Sequence, residues 1–327
     1  MLKGRKVGLV FKRFKPFFAL GLMLSVFLLG GCSNYIVLDP KGPVAAQQKD
    51  LILYSIGFMA LICVVVYALF AVVVIKYRNR KNDDNFEPDQ HGSKKLETIW
   101  TVIPILIIIA LAIPTVISNY DLEKPPKAVN AQQQKEPIVI NATAVNWKWI
   151  FSYPEQGIET VNYINIPKDR TVLFKLTSAD SMSSFWVPEL GGQKYAMAGM
   201  ETKLYLRADH TGTFSGRNSN FNGEGFAHQI FDVHSVNQSE FDKWAKDTKS
   251  KAPKLTKKQY DQLMVQGEVK KMTFSSTHLK WVDHAKEADY AVKTRERLGE
   301  VPQNPHGSKA KDANKPESDS HGESHSH

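Results

Sequence analysis

The chain has 327 residues, 43% of them hydrophobic and 23% charged, and a formal net charge of +9 at neutral pH. Its two cysteines, Cys32 and Cys63, both lie upstream of residue 120, which excludes a disulfide scaffold and a thiolate-held metal cluster in everything that follows. Six Lys or Arg residues precede position 16, and without that segment the formal charge falls to about +3, so nucleic acid is not an expected partner.

Residues 1–31 read as a secretory leader, with a basic start, an apolar run from Phe17 to Leu29, and then Gly30-Gly31-Cys32. This ending has the pattern of a bacterial lipoprotein cleavage site, where Cys32 becomes a lipidated N-terminus; an uncleaved signal anchor with an ordinary cysteine is the alternative. Residues 32–50 are then a lipidated exterior segment.

Two uncharged stretches follow, 51–75 and 98–118, each long enough for a helix to cross the hydrocarbon core. Pro104 and Pro114 interrupt backbone hydrogen bonding in the second, which membrane helices tolerate where neighbours compensate. The segment between them, 76–97, carries Lys76, Arg78, Arg80, Lys81, Lys94 and Lys95, and a basic excess near helix ends marks the cytoplasmic side. The expected topology is a hairpin with both ends outside the cell. Glu97, one residue before the second span, has an ordinary reason to be there, because a carboxylate complements the dipole at a helix N-terminus.

Residues 119–136 are rich in Pro, Gln and Lys and read as an exposed linker. From 137 to 238 short alternating runs dominate, at 137–153, 159–166, 171–177, 202–208 and 229–236, separated by Gly, Pro, Asn and Asp. This pattern predicts an all-β sandwich of Greek-key type. Of Trp147 and Trp149, at least one is expected in its core and the other facing the membrane or a partner. Met182, Met197 and Met200 are expected to pack in the core or at an interface.

Within this domain, residues 180–200 read D-S-M-S-S-F-W-V-P-E-L-G-G-Q-K-Y-A-M-A-G-M, and 212–231 read G-T-F-S-G-R-N-S-N-F-N-G-E-G-F-A-H-Q-I-F. These segments resemble the copper-binding (CuA) domain of subunit II in heme-copper terminal oxidases. There, a histidine precedes S-F-W-V-P, and C-x-x-x-C-x-x-x-H-x-x-M follows the G-T-[FY]-x-G turn. Position by position, the histidine falls on Ser183, the cysteines on Asn218 and Asn222, the backbone-carbonyl ligand between them on Asn220, the second histidine on Phe226 and the methionine on Gln229. Amides, a hydroxyl and a phenyl ring do not replace the soft thiolate and imidazole donors that hold copper. His228, beside the last position, is a lone histidine and reads as a surface residue. The Tyr195–Met200 stretch is similar to the copperless, quinol-oxidizing branch of the family, including the bacterial aa3-type menaquinol oxidases.

From 239 to 300 the spacing becomes helical: Phe241, Trp244 and Ala245, then Tyr260, Leu263 and Met264, recur at i, i+3, i+4, and Thr256 with Gln259 fits a capping box. Beyond Val301, residues 301–327 are polar and contain His306, His321, His325 and His327; the composition is that of a disordered, solvated tail.

The resemblance implies a cupredoxin-like sandwich on a membrane hairpin, in subunit II of a quinol oxidase that reduces oxygen to water with proton pumping. It implies no cofactor in this chain, hemes and copper in subunit I, membrane quinol as substrate, subunits I, III and IV as partners, and no cytochrome c. It places Glu97 at the mouth of the proton channel into subunit I. The functions weighed against this one are a cytochrome c oxidase subunit, which the lost ligands oppose, and a non-enzymatic surface lipoprotein or assembly factor.

Overall fold

The computed structural model describes residues 35–76 and 92–300. The leader with Cys32, the basic positions Arg78, Arg80 and Lys81, and the histidines of 301–327 lie outside the described residues. The chain forms two units, one built on residues up to Tyr120 with Pro188–Gly191, the other on Asp121–Val187 and Gly192 onward.

The first unit holds helices α1, Pro43–Lys76, and α2, Lys94–Leu122. Both exceed the apolar stretches that seed them, because the flanking Ala, Gln and Lys residues are good helix formers. Their apolar side chains are uncovered by the rest of the protein, as a lipid-facing hairpin requires. Helix α2 runs through Pro104 and Pro114 without a break. Pro114 has no N–H to give the carbonyl four residues earlier, Ala110, and the Tyr54 hydroxyl of α1 donates to that oxygen at 3.2 Å. At the same end, Gln47 Nε2 donates to Ser118 Oγ at 3.0 Å.

The second unit is a β-sandwich. Its strands are β1 (Ile138–Val145), β2 (Lys148–Tyr153), β3 (Ile158–Val161), β4 (Tyr163–Pro167), β5 (Val172–Ser178), β6 (Ser183–Trp186), β7 (Lys194–Ala196), β8 (Thr202–Leu206), β9 (Gly212–Asn218), β10 (Ile230–Val236) and β11 (Met272–Phe274). One sheet has the order β11-β3-β2-β1-β5-β8 and the other β4-β10-β9-β6-β7. The pairs β1/β5 and β4/β10 are parallel and all others antiparallel. The run expected at 159–166 is two strands in different sheets. Asn162, at φ 59°, turns the chain between them, and its side chain fixes the corner by accepting from Trp149 N at 2.9 Å and donating to Val269 O at 2.8 Å.

Aromatic rings fill the space between the sheets. Trp149 meets Phe185 edge-on at 5.4 Å and Phe231 at 5.7 Å, and Phe185 stacks on Phe231 at 5.0 Å. Gly216 of the G-T-F-S-G run in β9 has to be glycine, since a Cβ there would lie 2.2 Å from the Phe231 ring.

The segment after β10 forms α3 (Gln238–Lys251), α4 (Lys257–Leu263) and α5 (Tyr290–Leu298), with β11 between α4 and α5 added to the sheet edge beside β3. The expected capping box is present: Thr256 Oγ1 accepts from Gln259 N at 3.2 Å, and Gln259 Oε1 accepts from Thr256 N at 3.0 Å. Phe241 and Ala245 of α3, and Tyr260, Leu263 and Met264, are buried as their spacing predicts. The extension is less helical than expected, because the stretch from Val265 to Asp289 contributes a strand and irregular turns in place of helix.

Candidate functional site: the emptied metal frame

The frame positions come from three places in the sandwich: Ser183 opens β6, Asn218 ends β9, and Asn222 and Gln229 lie on the loop from β9 to β10. Four of the six converge. Gln229 Oε1 accepts from Asn218 Nδ2 and from Asn222 Nδ2, both at 2.9 Å. Asn222 Nδ2 also reaches Ser183 Oγ at 3.1 Å and Asn146 Oδ1 at 3.1 Å, so its two protons are shared among three acceptors. Asn218 Oδ1 accepts from the backbone of Ser184 at 2.8 Å and Asn220 at 2.9 Å, and Gln229 Nε2 donates to Lys148 O at 3.3 Å.

The donors that would hold a metal are thus replaced by a closed amide knot. Amides carry both donors and acceptors, so a small set can satisfy most of its atoms in a buried place where unpaired polar atoms are costly, and here Asn222 Oδ1 is left without a partner. Copper does not fit these residues: they offer no thiolate or imidazole, and the oxygens of Ser183, Asn218 and Gln229 already accept hydrogen bonds. Among the described residues no three His, Cys, Asp or Glu side chains converge as a metal site.

Two frame positions stay out of the knot. The Asn220 side chain turns away to donate to Met182 O at 2.9 Å. Phe226 packs its ring 5.7 Å from that of Phe221, which is 76% exposed. His228 is a surface residue, as read, paired with Glu268 at 2.6 Å.

Trp149 is buried in the core, as expected for one of the two tryptophans, and Trp147 is half-buried and roofs the emptied frame. A Cβ on Gly225 would lie 2.2 Å from its ring, and its Nε1 donates to Asn222 O at 3.2 Å. The loop's G-E-G sequence gives the indole room to lie flat on the backbone. Met182 and Met200 are exposed on this chain, in short irregular segments outside the core.

Behind the knot lies a charged layer that the sequence reading missed. Lys148 is buried, and its Nζ donates to Leu263 O at 3.2 Å and Val265 O at 2.6 Å. Burial lowers its pKa to about 8, partly offset by Asp180. Asp180 accepts from the Arg295 guanidinium of α5 and from Asn146 N at 3.2 Å, while Arg295 Nε donates to Met264 O at 2.6 Å. A lysine inside the strand run N-W-K-W-I-F was the available signal, since a charge between core aromatics needs partners.

A second polar cluster lies where the extension covers the six-stranded sheet. Glu159 Oε2 accepts from Ser152 Oγ at 2.7 Å, His278 N at 3.0 Å and His278 Nδ1 at 2.7 Å. Tyr260 stacks on His278 at 4.3 Å and hydrogen-bonds His284 Nε2 at 2.5 Å. Burial holds the Tyr260 phenol well above its ordinary pKa, and burial followed by the neighbouring His278 lowers that of His284 to about 3.

Glu97 lies in the first turn of α2, exposed; its N–H donates to Ser93 O at 3.0 Å and its carbonyl accepts from Thr101 Oγ1 at 2.8 Å.

Comparison with known proteins agrees with this architecture. The family model described as cytochrome c oxidase subunit II, transmembrane domain, matches residues 34–117, and the one described as its periplasmic domain matches residues 155–236. Quinol oxidase subunit 2 of Bacillus spizizenii is 58% identical over 299 residues, covering 91% of this chain and 92% of that protein. Probable quinol oxidase subunit 2 of Staphylococcus haemolyticus is 50% identical over 282 residues, covering 86% of this chain and 73% of that protein. Among solved structures, the periplasmic domain of cytochrome oxidase subunit II from Bradyrhizobium japonicum aligns at 25% identity over 35% of this chain and 94% of that one, with a TM-score of 0.33.

Proposed function

The chain belongs to the quinol oxidase subunit 2 family, and on that premise we propose how its parts serve the oxidase. It is subunit II of a quinol oxidase, an oxidoreductase complex, and is anchored in the membrane by its two apolar helices. Subunit I of the oxidase is its partner. Hemes and copper reside in subunit I, and subunits III and IV complete the complex. Electrons pass from a quinol dissolved in the bilayer to oxygen without crossing this chain's outer domain, and the complex pumps protons. The sandwich acts as a scaffold and shield for the catalytic subunit.

The observation that carries this division is the amide knot at Ser183, Asn218, Asn222 and Gln229. A metal there would receive electrons from a donor on the aqueous side. Neutral amides cannot change oxidation state, so the donor has to come from the membrane. The basic residues between the two spans put that connection in the cytoplasm and the sandwich outside, in line with a diacylglycerol on Cys32.

Glu97 supplies the proton-channel entrance. It lies in the first turn of α2 next to the basic connection, and it is exposed. In the assembled oxidase, Glu97→Gln is expected to slow quinol-driven oxygen uptake while leaving subunit association and heme content unchanged. Wild-type turnover in that variant would remove Glu97 from the path. Oxygen uptake driven by reduced cytochrome c as fast as by quinol would defeat the larger reading.

A further inference from the structure

The loop that closes the emptied frame contains the sequence Asn222-Gly223, the one Asn-Gly pair in the chain. The fold requires both residues. Asn222 Nδ2 ties the loop to Asn146, Ser183 and Gln229 at 3.1, 3.1 and 2.9 Å. Gly223 has a φ of 119°, in the region that favours glycine, and a Cβ on it would lie 3.0 Å from the Trp147 ring.

This pair has a chemistry of its own, because glycine leaves the backbone nitrogen after the asparagine unshielded. The Gly223 nitrogen attacks Asn222 Cγ and forms a new carbon–nitrogen bond, closing a cyclic imide. The Cγ–Nδ2 bond breaks, and ammonia leaves with the proton of the Gly223 N–H. Water then adds to one of the two ring carbonyls and opens the imide to aspartate or isoaspartate. The net exchange of ammonia for water needs neither an enzyme nor an oxidant.

In the native fold both reacting groups are held. The leaving nitrogen, Nδ2, is bonded to Asn146 between β1 and β2, to Ser183 at the start of β6, and to Gln229 at the end of the loop. The peptide unit that carries the attacking nitrogen is fixed at Asn222 O, which accepts from Trp147 Nε1 at 3.2 Å. Ring closure swings the Asn222 side chain toward its own backbone and turns that peptide unit, so the knot and the roof have to open first.

We propose that Asn222-Gly223 is a deamidation site held shut by the amide knot and the Trp147 roof, which turns opening of this loop into an irreversible mark. The product cannot close the knot again. A carboxylate has only acceptors where Nδ2 donated, and it meets the acceptors Gln229 Oε1 and Asn146 Oδ1. Isoaspartate also adds a carbon to the backbone beneath Trp147. Asn218 and Asn220 are internal controls, since Ser219 and Phe221 follow them and shield the next nitrogen, and residues 218–243 form one tryptic peptide.

The full chain, in detergent or in the assembled oxidase, is incubated at mildly alkaline pH and that peptide is followed by mass spectrometry. In denaturant, Asn222 is expected to convert before Asn218 and Asn220; conversion first at either control, or none, removes the site. In the folded wild type the reaction is expected to be about a hundred-fold slower than in denaturant, and equal rates would show that the fold does not restrain it. Gln229→Leu takes one acceptor from Nδ2, and Trp147→Phe takes the donor from Asn222 O while keeping a ring over the loop. Each folded variant is expected to convert about ten-fold faster than wild type, with an unchanged rate in denaturant. Wild-type rates in both folded variants would overturn the proposal. Asn222→Asp reproduces one product, and faster hydrogen exchange is expected across residues 219–229 while β1 and β2 stay protected. Wild-type exchange in that loop would refute the irreversible mark.

Discussion

The outer domain has two buried polar clusters, and they satisfy themselves by opposite means. At the emptied metal frame, every group that meets another is an amide, a hydroxyl or a backbone atom, and the set satisfies all but Asn222 Oδ1. Beneath the extension, Glu159, His278, Tyr260 and His284 hold fixed donor and acceptor roles, and the count leaves Glu159 Oε1 and His284 Nδ1 over. Neutral amides tolerate rearrangement because each can give and receive. Histidines and carboxylates cannot, so their cluster depends on protonation state. The position that is redox-active in copper-bearing relatives is here redox-inert, and the titratable groups sit elsewhere.

The largest effect is expected where α5 is tied to the amide knot. Arg295 donates to Met264 O and to Asp180, and Asp180 in turn receives Asn146 N, whose side chain enters the amide knot. The side chains of Arg295 and Asp180 are 5% and 6% exposed. Arg295→Met leaves a buried carboxylate without its cation, which costs about 3–5 kcal/mol. Denaturant unfolding of the solubilised chain, followed by tryptophan fluorescence, should show that loss. A loss under about 1 kcal/mol would mean that the Arg295–Asp180 pair does not hold α5 to the sandwich.

Acid separates the two clusters next. His284 has its folded pKa lowered to about 3 from 6.5, first by burial and then by His278, with Asp283 opposing. Its surroundings hold Tyr260, Tyr290, the His278–Glu159 pair and Asp283, and Lys175 with Glu201 border the cavity. Between those two pKa values the unfolded chain binds the proton and the folded one does not. Stability from this group is therefore complete above pH 6.5 and falls as pH drops toward 3. Going from pH 7 to pH 5 should cost about 2 kcal/mol at this site. Hydrogen exchange in residues 278–290 is expected to rise in that interval, while the amide knot, which has nothing to titrate, stays protected. Equal loss in both regions would dissolve the distinction.

The sequence made the first cluster legible only as a loss. Its frame could be aligned position by position, so the missing donors at Asn218, Asn222 and Gln229 were visible, but their hydrogen bonds were not, because Asn146 and Ser183 reach them from distant strands. Alternation found β5, β8 and β10 and covered β1 and β2 in one run. It missed β6, β7 and β11, which are three or four residues long, and β9, whose G-T-F-S-G-R-N sequence has few β-branched residues, and it merged β3 with β4, since a sheet change at one asparagine leaves the hydrophobic pattern intact. The second cluster gave no local signal: Glu159 and His278 stand 119 positions apart, in segments that carry no motif. Helix caps and apolar spacing in the extension were legible because both are local rules.

The smallest effect sharpens the comparison inside the knot itself. Gln229 and Asn220 occupy equivalent-looking frame positions, but only Gln229 is central, receiving both Asn218 Nδ2 and Asn222 Nδ2. Gln229→Leu is close in size and removes that acceptor, leaving Asn218 Nδ2 buried without its partner; the cost is about 1–3 kcal/mol. Asn220→Ala removes one hydrogen bond to Met182 O from an exposed part of the loop and keeps the Asn220 N–H on Asn218 Oδ1, so about 0.5–1 kcal/mol is expected. Unfolding midpoints of the two variants, compared at constant slope, measure the difference. If Asn220→Ala costs as much as Gln229→Leu, the loop is held by its edge, and the amides at the old ligand positions do not organise the site.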